Sequence, residues 1–435
     1  MSESENENNI GQFTLPETES SLFHLKKKFI FIIIATLIVI TIAITVSVIF
    51  TKKAKSTISP TTITIDTSAT ETTTILTTST DSYLTTMNEW SPTLSVIKRY
   101  KFIDSGLNSM IIVDVNEDNH ADIVIGDERQ SRILIFLNSD NNQYNDEIIY
   151  ETDIIMSSLF KADMNNDNKI DLIGISGGPN AAINILYNTG NETFYRRKVI
   201  KRDPRIKNIE LVDINQDNYT DIVIVYSNKP DVYIIFNMAN EDFSNQTKYE
   251  MKYMINHFKV LNINDNQRFN LIVAHLDQGV SILFGNYNQG FIDEVNYSTK
   301  SLVHTILLND IDNDNNMDII IGNYNFNFQI LFSETSDKFY QSVVYSVGLY
   351  NTFLRIGDLN NDQRLDLILG DYATKKISLY FNVGNRTFIN STIYSTNFNL
   401  ENAQLVDINN DGYMEIILIG TDSIISFIEI LSIYS

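Results

Sequence analysis

The chain has 435 residues, with 54 Asp and Glu against 32 Lys and Arg, a formal net charge of −22 and no cysteine. Acidity on this scale excludes a nucleic-acid partner, because phosphate binding needs a basic face and no basic run occurs outside residues 26–55. The lack of cysteine excludes disulfides, thiolate metal sites and a cysteine nucleophile.

In chain order, residues 1–25 are polar and acidic (Glu3, Glu5, Glu7, Glu17, Glu19) and predict a short cytoplasmic tail. Residues 26–52 predict a transmembrane signal-anchor helix. Its apolar run, 29–50, carries no charge and at 1.5 Å per residue reaches about 33 Å, enough for a hydrocarbon core of about 30 Å. A cleaved signal peptide has a shorter apolar core, of about 7–15 residues, and small residues at its cleavage site, whereas Thr51, Lys52 and Lys53 follow here. Lys26, Lys27 and Lys28 on one flank are matched by Lys52, Lys53 and Lys55 on the other, so charge alone does not set orientation. Residues 53–92 are dominated by Thr and Ser and predict a stalk that cannot bury a core, open to O-glycosylation.

From residue 93 onward a nine-residue pattern, acid-x-Asn/Asp-x-acid-x-x-x-acid, recurs seven times at steps of 48 to 50 residues. The copies start at Asp114, Asp163, Asp213, Asn262, Asp310, Asp358 and Asp407. A repeat of this length marks a solenoid, propeller or array. Around the first loop the sequence reads as four strands, at 110–113, 123–125, 132–137 and 148–150. The segment after each loop is short, β-branched and apolar (123–125, 319–321, 367–369, 416–419), as when both faces of a sheet are covered. A four-stranded sheet covered on both faces is a propeller blade. An aromatic residue marks the end of each third-to-fourth strand loop, at Tyr144, Phe194, Phe243, Phe291, Phe339 and Phe388. It is read as packing on its own blade.

The seventh repeat stops after a third strand at 424–431, while residues 95–103 precede the first repeat with the character of a fourth strand. The N-terminal strand is therefore predicted to complete the seventh blade and close the ring, Tyr100 pairing within 424–430. The fold class predicted for 93–435 is an all-β, seven-bladed β-propeller of four-stranded blades.

Three carboxylates within nine residues repel one another, a cost that a purely structural turn can avoid. The donors are all oxygens, which suits Ca²⁺ and not zinc. The predicted ligands are side chains at positions 1, 3, 5 and 9 and the backbone carbonyl at position 7. They are Asp114, Asn116, Asp118, His120 and Asp122; Asp163, Asn165, Asp167, Lys169 and Asp171; Asp213, Asn215, Asp217, Tyr219 and Asp221. In the later copies they are Asp310, Asp312, Asp314, Asn316 and Asp318; Asp358, Asn360, Asp362, Arg364 and Asp366; Asp407, Asn409, Asp411, Tyr413 and Glu415. An EF-hand is ruled out, since position 12 is Ile125, Gly174, Ile224, Ile321, Leu369 or Leu418 where that motif needs Glu. The fifth copy, with four carboxylates, is expected to bind most tightly. The fourth, with Asn262, Asn264, Asn266 and Asn270, is expected to be an empty turn, leaving about six Ca²⁺ sites. Of six sequons, at Asn191, Asn218, Asn245, Asn296, Asn385 and Asn390, the one at Asn218 lies inside a metal loop and is expected to stay unmodified.

These loops, each followed by an apolar strand often ending in Gly (Gly126, Gly322, Gly370), resemble the FG-GAP/VCBS repeat family over residues 95–435, and are similar to the seven-bladed propeller of integrin α chains. The family's recurring Phe-Gly and Gly-Ala-Pro signatures are not visible in these repeats, and the integrin leg domains are absent from the sequence. The resemblance implies cell adhesion or ligand binding. Because extracellular calcium modules bind at about 10⁻⁴–10⁻³ M, the propeller is placed outside the cell, giving a single-pass type II plasma-membrane protein anchored through 29–50, with an extracellular protein or glycan as ligand. The alternative is a propeller enzyme acting on extracellular glycans or lipids. His24, His120, His257, His275 and His304 form no catalytic motif, so no enzyme is expected.

Overall fold

The segments after the acidic loops are buried along their whole length, as in Asp122–Asp127, Asp221–Tyr226, Asp318–Asn323 and Asp366–Asp371. They are the second strands of seven four-stranded sheets in the computed structural model. The structure describes residues 93–434 except 139–146, 153–155, 177–180, 191–192, 204, 239–240, 264–267, 277–278, 287–289, 300–301, 325–326, 336–337, 347–350 and 424. The expected tail, anchor and stalk, at 1–92, lie outside the described residues, as does Tyr144. Among the described residues no helix is long and apolar enough to cross a membrane.

After β1 (Thr93–Ile103), blade 1 runs β2 (Leu107–Val113), β3 (Asp122–Asp127), β4 (Arg132–Phe136) and β5 (Glu147–Glu151) in simple antiparallel order. The same order fills blade 2 at 158–201, blade 3 at 206–250, blade 4 at 255–297, blade 5 at 303–346 and blade 6 at 351–395. Blade 7 has three strands of its own, β26 (Asn399–Val406), β27 (Glu415–Asp422) and β28 (Ile425–Tyr434), and β1 is its fourth. Tyr100 pairs with Ile428, as expected for a ring closed by the N-terminal strand. Arg99 adds an ion pair to the fully buried Glu429 of β28. Closure removes the exposed sheet edges that an open array leaves.

The hydrophobic core is not one mass but seven, each formed where two blades meet. Ile173 and Ile185 of blade 2 pack with Ile222 and Ile224 of blade 3, and Ile123 and Phe136 of blade 1 pack with Ile417 and Ile428 of blade 7. No blade buries its faces alone, so the repeats stand or fall together. The recurring aromatics share these clusters with residues of their own blades, as expected, Phe194 with Leu172 and Leu186 and Phe243 with Ile222 and Ile235, and they also reach the neighbouring blade. Phe194, Phe291, Phe339 and Phe388 meet Tyr150, Tyr249, Tyr297 and Tyr345 on the outer strand of the preceding blade, at 5.2–5.7 Å between ring centroids and near edge-to-face. That geometry suits the ring quadrupoles and contributes about 0.5–1.5 kcal/mol per pair beyond burial.

Candidate metal centres

Each acidic loop joins the innermost strand of a blade to the second and is wound by its own side chains. In the first, Asp114 accepts from the backbone N–H of Asp118 (3.1 Å) and of Asn119 (2.8 Å), while Asn116 Nδ2 donates to Asp118. Position 5 then accepts from the backbone N–H of position 7, at 2.8–2.9 Å for His120, Lys169, Tyr219, Asn316, Arg364 and Tyr413. Positions 4 and 6 take left-handed backbone, for example Glu117 (φ 63°) and Asn119 (φ 65°). Asn tolerates that region better than most residues, which accounts for its recurrence here. The seventh loop uses Gly412 at position 6, with φ 89°.

Asp163, Asn165 and Asp167 reproduce this winding, as do Asp213, Asn215 and Asp217, Asp358, Asn360 and Asp362, and Asp407, Asn409 and Asp411. In the fourth loop Asn264 and Asn266 lie outside the described residues. At position 7 the side chains diverge: Lys169 reaches the carbonyl of Thr189 and Arg364 that of Asn382, each at 2.7 Å.

Position 9 is the buried member. Asp122 accepts from the backbone N–H of Val115 through one oxygen (2.9 Å) and of Asn138 through the other (2.8 Å), so it fastens the loop's start to the end of the third strand. Asp171, Asp221, Asp318 and Asp366 do the same. Glu415 takes the N–H of Ile408 and the hydroxyl of Ser432. Burial, opposed by these bonds and aided by the neighbouring carboxylates, pushes Asp122, Asp171 and Asp221 up to about 6 and Asp318 and Asp366 up to about 7. Glu415 is raised for the same reason. Blade 4 has the neutral Asn270 here, which accepts from Gly285 N–H at 3.1 Å.

The fifth loop gathers its carboxylates most closely. Asp310, Asp312 and Asp314 each place a carboxylate oxygen within 4.8 Å of the others. Asp312 Oδ1 is buried without a hydrogen-bond partner. An oxygen-only donor set with an orphaned buried oxygen fits a hard divalent cation. Each position 9 carboxylate oxygen also keeps a second lone pair beyond its N–H bond.

Two features were not foreseen from the sequence. Arg386, in the third-to-fourth strand turn of blade 6, donates Nε to Asp312 Oδ2 at 2.6 Å and stands 3.9 Å from Asp314, so a neighbouring blade offsets one charge of the most acidic loop. Its partner is 74 residues away, beyond any local pattern. The second is an inter-blade clasp. Asn138, Asn188, Asn237 and Asn382 donate Nδ2 to the position 2 carbonyl of the preceding blade's loop, at Ile408, Val115, Met164 and Ile311, over 2.8–3.0 Å. An Asn recurring 16 or 17 residues after position 9 is a signal that could have revealed it. Blades 4, 5 and 7 have Gly285, Ser333 and Ser432 at the equivalent point.

With this geometry in place, comparison with known proteins identifies the repeats. The family described as FG-GAP-like repeat matches residues 163–224 and 358–418. Each match opens on position 1 of one loop and ends in the strand after the next. The chain thus carries FG-GAP-like repeats in a seven-bladed propeller. Among solved structures it is similar to BBS1N in complex with ARL6DN, soaked with mercury (11% identity, 78% of this chain and 96% of that one, TM-score 0.56). The lead-soaked crystal of the same complex is similar too (11% identity, 77% and 95%, TM-score 0.53). At this identity the likeness is one of fold. No curated protein matches the chain.

Proposed function

We propose that this chain is a calcium-binding propeller, held at the plasma membrane by residues 29–50 and acting outside the cell as a ligand-binding or adhesion module. The observation that carries the metal reading is the fifth loop, where three carboxylates converge and Asp312 Oδ1 is buried with no partner. The raised position 9 carboxylates support it, since a cation beside them relieves the repulsion that burial intensifies. Bound Ca²⁺ would take oxygens from positions 1, 3, 5 and 9 and brace each loop. The chain's own contribution is to hold those oxygens on a rigid ring, so that the loop ends of seven blades form one surface for a protein or glycan.

Calcium titration of the full chain in detergent, followed by calorimetry, tests the metal. Saturable binding in the range of about 10⁻⁴–10⁻³ M is expected, with the tightest site weakened at least tenfold by Asp312→Asn. No heat at millimolar calcium overturns the reading. Screening the same preparation against cell-surface proteins and glycans, with and without a chelator, tests the ligand; chelator-sensitive capture is the expected result.

A further inference from the structure

The axial channel of the propeller carries the opposite charge to the loops. It encloses about 570 Å³ and is walled by the innermost strand of every blade. Three residues before each loop, those strands contribute Ile111, Phe160, Glu210, Lys259, Leu307, Arg355 and Gln404 to the wall in turn. Blades 1 and 2 thus give an apolar side, while blades 3 to 7 give a largely polar arc. Within that arc Glu210 is neutralised by Lys259, at 2.6 Å.

Arg355 has no such partner. Its guanidinium donates to the carbonyls of Ala403 and Leu354, each at 2.7 Å, and to Asn402 Oδ1. All are neutral, and among the described residues no carboxylate pairs with it. Three of its five N–H donors are therefore used and two remain. His257, two residues before Lys259 on the same strand and also in the wall, has its Nδ1 buried without a hydrogen bond. Lys161, also in the wall, and Lys207, whose charge reaches His257, hydrogen-bond among the described residues to the neutral oxygens of Ile112 and Asn256. A cation taken from water without a counter-charge is costly unless an anion joins it. Burial first, and then the nearby Lys259, His304, Arg355 and Lys207, push the His257 imidazole down to about 3.

From this arrangement we propose that the axial channel binds a small molecule bearing an oxyanion, a phosphate or a carboxylate, which docks on the free donors of Arg355 beside His257 with its apolar part against Ile111 and Phe160. The cavity matches the usual volume of small-molecule sites, about 300–1,000 Å³. A planar, two-donor guanidinium edge is the group best shaped for such an anion. The site does not depend on metal in the loops.

Calorimetry with inorganic phosphate as probe, on the full chain in detergent at fixed ionic strength and without added calcium, tests this. Saturable one-to-one binding is expected, weakened at least tenfold by Arg355→Gln and several-fold by Lys207→Gln. Glu210→Gln removes the one carboxylate of the arc and frees Lys259, so it should tighten binding several-fold. A merely structural role does not give that reversal of sign, and it keeps the proposal testable even if Arg355→Gln fails to fold. Heats indistinguishable from those of sodium chloride, or Glu210→Gln binding phosphate no better than the parent chain, overturn the proposal.

Discussion

Two stretches of the inner strands differ in charge: the loops that close them are acidic in six blades, yet the channel a few residues earlier on the same strands is cationic. The acid is periodic and the cations are not. Asp122, Asp171, Asp221, Asp318 and Asp366 occupy one structural position and make one pair of bonds, because each blade needs the same fastening. Arg355, His257, Glu210 and Arg386 each occur in a single blade. In a repeat protein, what recurs maintains the ring, and what appears once is free to make one position chemically distinct.

The largest effect that can break this contrast is removal of a position 9 carboxylate. Asp366→Ala orphans the backbone N–H groups of Leu359 and Asn382, both buried bonds, at about 1–3 kcal/mol each. A loss of about 3–5 kcal/mol in denaturant unfolding is expected with or without calcium. A loss below about 1 kcal/mol would mean that position 9 serves the cation rather than the fold. Next in size is the clasp. Asn382→Ala removes the bond to Ile311 while keeping the main-chain bond to Asp366, and should cost about 1–2 kcal/mol.

These two substitutions also mark how far the sequence could be read. The blade number, the strand order and the closing strand were all legible, because a period of 48 to 50 residues and an unpaired strand at each end leave few ways to build a closed sheet array. The loop residues were legible as a set, but position 9 reads as a ligand in sequence and is a double backbone acceptor in the fold. Spacing alone cannot distinguish an oxygen that meets a cation from one that meets an N–H. Contacts between blades were the least legible. The aromatic pairs, the Asn clasp and the Arg386 bridge to Asp312 join residues about 40 to 75 positions apart, or 270 for Asn138 and Ile408 where the ring closes, so a recurring residue can mark one partner but not the other.

Calcium sharpens the comparison at the scale of about 1 kcal/mol. At ten times its dissociation constant, a ligand that binds only the folded state adds about 1.4 kcal/mol per site. A chelator should therefore lower the unfolding midpoint of the full chain. Asp312→Asn should remove part of that calcium response while leaving the midpoint in chelator nearly unchanged, because Asp312 makes an ion pair to Arg386 but no main-chain hydrogen bond that the turn depends on. An equal loss with and without calcium would assign Asp312 to the blade contact instead.

The smallest effect comes from the channel and tests its sign. His257 is held neutral in the folded chain down to about pH 3, whereas an unfolded imidazole takes a proton near 6.5. A base whose folded value is depressed contributes full stability above its unfolded value and loses it as pH falls through the interval between the two. Between pH 7 and pH 5.5 this amounts to about 1 kcal/mol of lost stability. Other groups titrate in the same interval, so the informative quantity is the difference in slope between the parent chain and His257→Gln, with the variant less sensitive to acid. Addition of phosphate should shrink that difference if the anion sits beside the imidazole, since a nearby negative charge lets the folded state accept the proton as well. A slope unchanged by His257→Gln would mean that the imidazole is already charged in the folded chain. The channel would then hold less positive potential than its unpaired guanidinium requires.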